Sequence, residues 1–173
     1  MRAVVMVLLT AAAWAADVPR YFNVPHVATP HGVVVAMLAL AEVGPSDVVY
    51  DLGSGDGRIV IAAVKDFGAK RAVGLDNKQE LVDEARERAK TAIVAEHVEF
   101  RVADIFEADF SDATVVTIYL AEQANKVLRP RFEKLLKPGT RVVSHLFPIP
   151  GWEPEKVEML GDRRVLLYRV PDQ

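Results

Sequence analysis

Apolar positions change their spacing repeatedly along the 173 residues, and each change predicts an element. An almost unbroken apolar run fills residues 3–16, interrupted only by Thr10 and preceded by Met1-Arg2. An irregular stretch with Pro19 and Pro25 follows. Thr29-Pro30 reads as a helix start, the hydroxyl capping free amides and the proline pre-set for the first helical position. That predicts a largely apolar helix over 31–43, stopped by Gly44-Pro45. Val48-Val49-Tyr50-Asp51 then reads as a buried strand, followed by a glycine loop and a helix over 58–67. Residues 71–75 predict a second strand. Asn77 is placed to cap the next helix, with Glu80 three residues on completing a capping box and Leu81, Ala85 and Ala89 forming its apolar face.

Residues 98–103 and 113–119 predict a third and a fourth strand. A broken helical region is expected over 121–136, restarting at Pro130. Lys137-Pro138-Gly139 turns into a fifth strand over 140–146. The segment 147–155 is too short for a crossover helix, so two last strands near 157–160 and 164–170 should close as an antiparallel hairpin. Strands separated by helices imply a parallel sheet, because parallel neighbours need crossovers. The expected fold class is therefore α/β, Rossmann-like, with a mostly parallel seven-stranded sheet and a C-terminal antiparallel hairpin. The expected organisation is a leader over 1–16 and a single domain over 17–173.

Composition narrows the chemistry. Cysteine is absent, which removes disulfides, thiolate zinc sites and cysteine nucleophiles. His26, His31, His97 and His145 are widely spaced, so no metal site is expected. A net charge of −3, with acids and bases interspersed, argues against a nucleic-acid partner bound by phosphate neutralisation. The leader, with a positive start and Ala13 and Ala15 at the −3 and −1 positions, resembles a secretory signal peptide. It is short for a membrane span, which takes about 20 residues. An uncleaved segment resting at a membrane is the other reading.

The most informative segment is Asp51-Leu52-Gly53-Ser54-Gly55-Asp56-Gly57, between the first strand and its helix. Glycines allow a sharp turn and close approach of backbone to a ligand, and a helix start offers free amide donors. A dinucleotide fingerprint needs G-x-G-x-x-G, but here the third glycine comes one residue early. A carboxylate at Asp51 would repel a pyrophosphate and attract an ammonium. The loop therefore suits S-adenosylmethionine (SAM). Asp76 ends the second strand, where it can accept from both ribose hydroxyls, with Asn77 beside it. Asp104 ends the third strand and can accept from the adenine amino group, while the Ile105 amide could donate to the ring. Each acid alone is more often a turn residue. Three at consecutive strand ends are a stronger signal.

With these residues the chain resembles a class I SAM-dependent methyltransferase from Thr29 to about Val170. More narrowly it is similar to the small protein-lysine methyltransferases, which include archaeal broad-specificity enzymes, mitochondrial enzymes acting on ATP synthase subunit c and the adenine nucleotide translocase, and bacterial relatives. The glycine-loop block carries the match together with Val115-Val116-Thr117-Ile118-Tyr119-Leu120 and Leu136-Lys137-Pro138-Gly139-Thr140-Arg141-Val142-Val143-Ser144-His145. The resemblance implies SAM as methyl donor and a protein substrate presenting a lysine. It also implies an acceptor slot lined by Tyr119, whose alternative is a tyrosine packed at a strand end. Two departures stand out. The family's Tyr-Val-Pro-Thr-Pro is His26-Val27-Ala28-Thr29-Pro30 here, with Thr29 still a candidate for the cofactor side. Leu146 follows Ser144-His145 where an acidic residue is usual. A small-molecule methyltransferase and a SAM-binding module without turnover stay open. So does location: the leader suggests export or a membrane, while SAM is supplied in the cytoplasm.

Overall fold

The computed structural model describes residues 27–172. The leader at 1–16 lies outside the described residues, so neither reading of it is tested. The chain runs α1 (His31–Leu40), β1 (Val48–Leu52), α2 (Arg58–Lys65), β2 (Arg71–Asp76), α3 (Gln79–Thr91), β3 (Val98–Val102), β4 (Val115–Ile118), α4 (Glu122–Leu135), β5 (Arg141–His145), β6 (Lys156–Leu160) and β7 (Arg163–Arg169). All seven strands join one sheet in the order β3-β2-β1-β4-β5-β7-β6. The first five are parallel, and β7 lies antiparallel between β5 and β6. The expected α/β sheet and closing hairpin are both present. From β1 the order proceeds outward in opposite directions through β2 and β4, which makes the β1/β4 junction the switch point of the sheet.

Alternation along the strands divides the core in two. Val49, Ala72, Val115 and Val143 pack under α1, α2 and α3, whose buried residues include Met37, Leu38, Ile59, Val60, Val82 and Ala85. Tyr50, Leu52, Val73, Leu75, Val116 and Ile118 face the other way, against Leu128 and Phe132 of α4 and against Phe110 and Ile149 from the loops. Three helices thus cover one face, and a single helix with loop segments covers the other. Strands buried on both faces read as continuous apolar runs, as the central four do.

Local capping differs from expectation in three places. Thr29 makes no side-chain cap on α1; Pro30 occupies the N-cap position, and its carbonyl accepts from Val33 and Val34. Thr29 is buried instead, with its carbonyl taken by Arg58. The Asn77–Glu80 capping box does not form: the N-cap of α3 is Lys78, without a side-chain cap. The carboxylate of Asp76 reaches the Lys78 amide first, at 3.0 Å. Finally, α4 is continuous through Pro130. Leu128 and Phe132 are fully buried on either side of it, and that packing outweighs the hydrogen bond that proline cannot donate.

Gly74 shows how tightly the strand ends are packed. A β-carbon there would stand 2.6 Å from both the Phe100 ring and Ser54 Oγ. Gly74→Ala is expected to cost about 1–3 kcal/mol through overpacking, seen as a lower urea midpoint with an unchanged slope. The same change should cost less in a Phe100→Leu background. An unaltered midpoint would contradict the packing.

Candidate active site

Register brings the predicted residues together. Asp51 pairs with Gly74 of β2 on one side and with Thr117 of β4 on the other. Because Ile118 pairs with Ser144, the next residues of the two strands, Tyr119 and His145, lie side by side. Side chains alternate across the sheet, so Asp51, Thr117, Tyr119 and His145 share the face covered by α1. They stand at the carboxyl ends of β1, β4 and β5, beside the switch point.

The glycine loop turns through three left-handed residues: Gly53 at φ 84°, Gly55 at 52° and Gly57 at 77°. Gly57 is the N-cap of α2. A β-carbon on it would stand 2.6 Å from the Phe100 ring and 2.9 Å from Ala85, so no larger residue fits without displacement. Backbone amides of Gly53 and Ser54 donate to the Leu75 carbonyl at 2.8 and 2.9 Å. The Gly55 amide donates to Asp76 Oδ2 at 2.9 Å. Asp76 thus grips the loop with one oxygen and the start of α3 with the other. Ser54 Oγ is buried with no hydrogen-bond partner.

Asp51 is almost fully buried. Its Oδ1 accepts from Thr117 Oγ1 at 2.8 Å. Burial pushes its carboxyl up to about 7; the Thr117 hydrogen bond opposes that, and the nearby Asp76 and Asp56 carboxylates add to it. A buried acid with two acidic neighbours and one neutral donor is arranged to receive a cation. Asp56 has a different task. Arg58 holds it through Nε–Oδ1 and Nη2–Oδ2 contacts of 2.9 and 2.6 Å, and Arg88 reaches Oδ2 as well. Burial alone would raise the Asp56 carboxyl, but the two guanidinium groups hold it below the ordinary range. Arg58 also donates to the Thr29 carbonyl at 2.9 Å, tying residues 27–30 to the glycine loop.

Asp104 stands two residues beyond β3 rather than on it, exposed, with Oδ1 accepting from the Phe106 amide at 2.8 Å. The Ala103 amide donates to the Asp76 carbonyl, which brings the two predicted acids to neighbouring strand ends. Ile105 is half-buried there, and Asn77 is exposed beside Asp76. Tyr119 is half-buried and packs on His145 at a ring-centroid distance of 4.0 Å, with Phe147 on a further side at 6.3 Å. The segment after β5 is stitched to α4: Asn125 Nδ2 donates to the carbonyls of Phe147 and Pro148, and Arg129 to that of Pro150. Leu146, in the place usually acidic, adopts a left-handed φ of 68°. No three metal-ligating side chains come together among the described residues.

Sequence reasoning missed Thr117, Arg58 and Arg88. A hydroxyl in an otherwise apolar strand is the only local sign of Thr117. The Arg58–Thr29 and Arg88–Asp56 contacts join residues 29 and 32 positions apart and leave no local sign.

This fold and strand-end site define a Rossmann-like class I methyltransferase. The ANTKMT methyltransferase domain model matches residues 51–156, more than half of the chain, and the chain belongs to that family. It is 48% identical over 140 residues to a protein-lysine N-methyltransferase of Saccharolobus islandicus, covering 81% of this chain and 87% of the relative. It is 36% identical over 153 residues to the mouse adenine nucleotide translocase lysine N-methyltransferase, covering 88% of this chain and 66% of that protein. Among solved structures, one described as an RNA methyltransferase from Salinibacter ruber in complex with S-adenosyl-L-homocysteine superposes with a TM-score of 0.83. It is 50% identical and covers 85% of this chain and 95% of its own. The chain is a SAM-dependent methyltransferase.

The raised carboxyl of Asp51 has a measurable consequence. Between the ordinary value of 3.8 and about 7, the folded state keeps a proton that the unfolded chain has released. Stability therefore falls as pH rises through that window and is fully reduced above it. Asp51→Asn is expected to flatten this slope and to be more stable than the native protein at pH 8. Urea unfolding at pH 5 and pH 8 measures it, and parallel slopes for the two proteins would contradict the assignment.

Proposed function

We propose that this enzyme methylates the side-chain amine of lysine in a protein substrate. The 48% identity with a protein-lysine N-methyltransferase, over most of both chains, is the observation that carries this reading. Geometry supports it. The half-buried Tyr119 phenol beside Phe147 forms an aromatic margin at the strand ends, a surrounding of low polarity. A lysine amine has an ordinary pKa of about 10.4, and such surroundings favour its neutral, nucleophilic form.

The residues present fit SAM. Asp51, buried without a cationic partner of its own in the hydrogen-bond network, would take the ammonium of the methionine part. Asp76, already fixed by two amides, would accept from the ribose hydroxyls with its remaining lone pairs. Asp104 would accept from the adenine amino group, and Ile105 and Asn77 would border the base and ribose. Gly53, Gly55 and Gly57 let the backbone come close, Ser54 offers its unpartnered hydroxyl, and Thr29 closes the loop side. When bound, SAM supplies an electrophilic methyl group on a sulfonium. The protein's share is alignment of the amine with that methyl, since in-line displacement needs no protein nucleophile and gains most from positioning. The apolar residues 1–16 add membrane association to this proposal, with the catalytic part facing the SAM supply.

Two measurements test the reading. Asp76→Ala should weaken SAM binding roughly ten- to a hundredfold by calorimetry, as expected for loss of charge-assisted hydrogen bonds worth about 1.5–3 kcal/mol. Unchanged affinity in the folded variant would remove Asp76 from the site. For the acceptor, a native lysate is incubated with enzyme and methyl-labelled SAM, then split into protease- and ribonuclease-treated halves. The expected label is protein-bound and resolves as N-methyl-lysine by mass spectrometry. Label confined to RNA, the substrate class named for the Salinibacter protein, or to small molecules, would overturn the lysine reading.

A further inference from the structure

Behind Tyr119 stands a residue to which the methyl-transfer chemistry gives no task. His145 ends β5 with no solvent exposure. Its ring faces the Tyr119 ring at 4.0 Å and 36°, the shortest ring-centroid separation among the aromatic contacts of the described residues. Its Nε2 lies 3.4 Å from Arg163 Nη1, and its Nδ1 has no hydrogen-bond partner. A guanidinium only donates, so Nε2 presents its lone pair to Arg163 and the proton sits on Nδ1. Burial and the Arg163 cation push the imidazole down to about 4, so the ring is neutral at working pH. A histidine kept for hydrogen bonding would have both nitrogens satisfied. This one uses its edge to hold Arg163 and its face to meet Tyr119.

We propose that His145 is a positioning residue for Tyr119: its buried ring is the platform that fixes the phenol at the acceptor end of the cleft. Strand register gives the device its precision. Val165 of β7 pairs with His145, and Arg163 lies two residues before it on the same face. Tyr119 and His145 therefore stand side by side across β4 and β5, and Arg163 reaches His145 diagonally from β7 on the same face. Tyr119 lies just past the end of its strand and has no ladder partner of its own; the ring contact replaces one. An aromatic face is what the role requires, and charge is not.

The inference rests on the reading of Tyr119 as an acceptor-slot residue, and the test separates the two. Turnover with a lysine-bearing protein substrate, acceptor KM and SAM affinity are measured for His145→Leu, His145→Phe, Tyr119→Ala and the double variant His145→Leu/Tyr119→Ala. Leucine keeps volume without a planar face, so the variants fold, which SAM binding within twofold of native checks. His145→Leu is expected to lower kcat at least tenfold, and His145→Phe to restore it to within about threefold of native. The double variant should be no slower than Tyr119→Ala alone. Equal impairment of the Leu and Phe variants, native turnover in His145→Leu, or additive losses in the double variant would overturn the platform. Native turnover in Tyr119→Ala would instead overturn the acceptor-slot reading, and the platform with it.

Discussion

The site depends on one carboxylate. Asp76 accepts from Gly55 in the glycine loop and from Lys78 at the start of α3, so the end of β2, the loop and the next helix move as one body. A loop with three left-handed glycines pays a high entropic cost to order. Holding it from the neighbouring strand fixes the path of the loop backbone, so that its ordering does not have to be met when a ligand arrives. The Leu75 carbonyl, taking the Gly53 and Ser54 amides, secures the other half of the turn. The sheet underneath supplies rigidity, since every strand bearing a site residue except β3 is flanked by two others.

Around that anchor, the acids are given opposite environments. Asp51 is denied a cation and held by a hydroxyl, so it stands near neutrality with a proton in reserve. Asp56, five residues on, is surrounded by two guanidinium groups and is fully committed to structure. The same residue type is thereby split into a buried acid without a cationic partner, which the proposed reading assigns to the cofactor's ammonium, and an internal tie. Arg58 extends that tie to Thr29 and so brings the segment before α1 into register with the loop.

The sequence displays those features whose cause is local. Glycines at 53, 55 and 57, an acid before the loop and an acid ending the next strand are each dictated by neighbours within a few residues. Strand count, order of elements and the terminal hairpin follow from apolar runs and from Gly/Pro punctuation. What was not legible depends on competition between distant groups. Thr29 reads as a cap because its hydroxyl sits beside Pro30, yet the position is buried against Arg58, 29 residues away. Asn77 reads as a cap, but Asp76 turns the chain by holding the Lys78 amide, and the helix starts one residue later with Lys78 at its N-cap. Pro130 reads as a break because its own hydrogen bond is lost, while the compensating burial of Leu128 and Phe132 belongs to the sheet. Tyr119 was visible at a strand end; its contact with His145 emerges only from β4–β5 register.

The sheet is covered unequally, and this bears on how readily the enzyme can change its acceptor. On the face with only α4, residues 147–152 complete the core: Ile149 is fully buried, its amide donating to the Tyr168 hydroxyl at 3.1 Å, and Trp152 packs on Phe132 and Tyr168. The same segment carries Phe147 to the Tyr119 ring. In most α/β enzymes the loops at the strand ends diversify freely because the helices behind them keep the core closed. Here one short stretch both seals the interior and stands at the strand ends beside Tyr119. Under the proposed acceptor slot, a substitution that reshapes that margin would be felt in the core as well, so a change of acceptor would be confined to the few replacements that leave the seal intact.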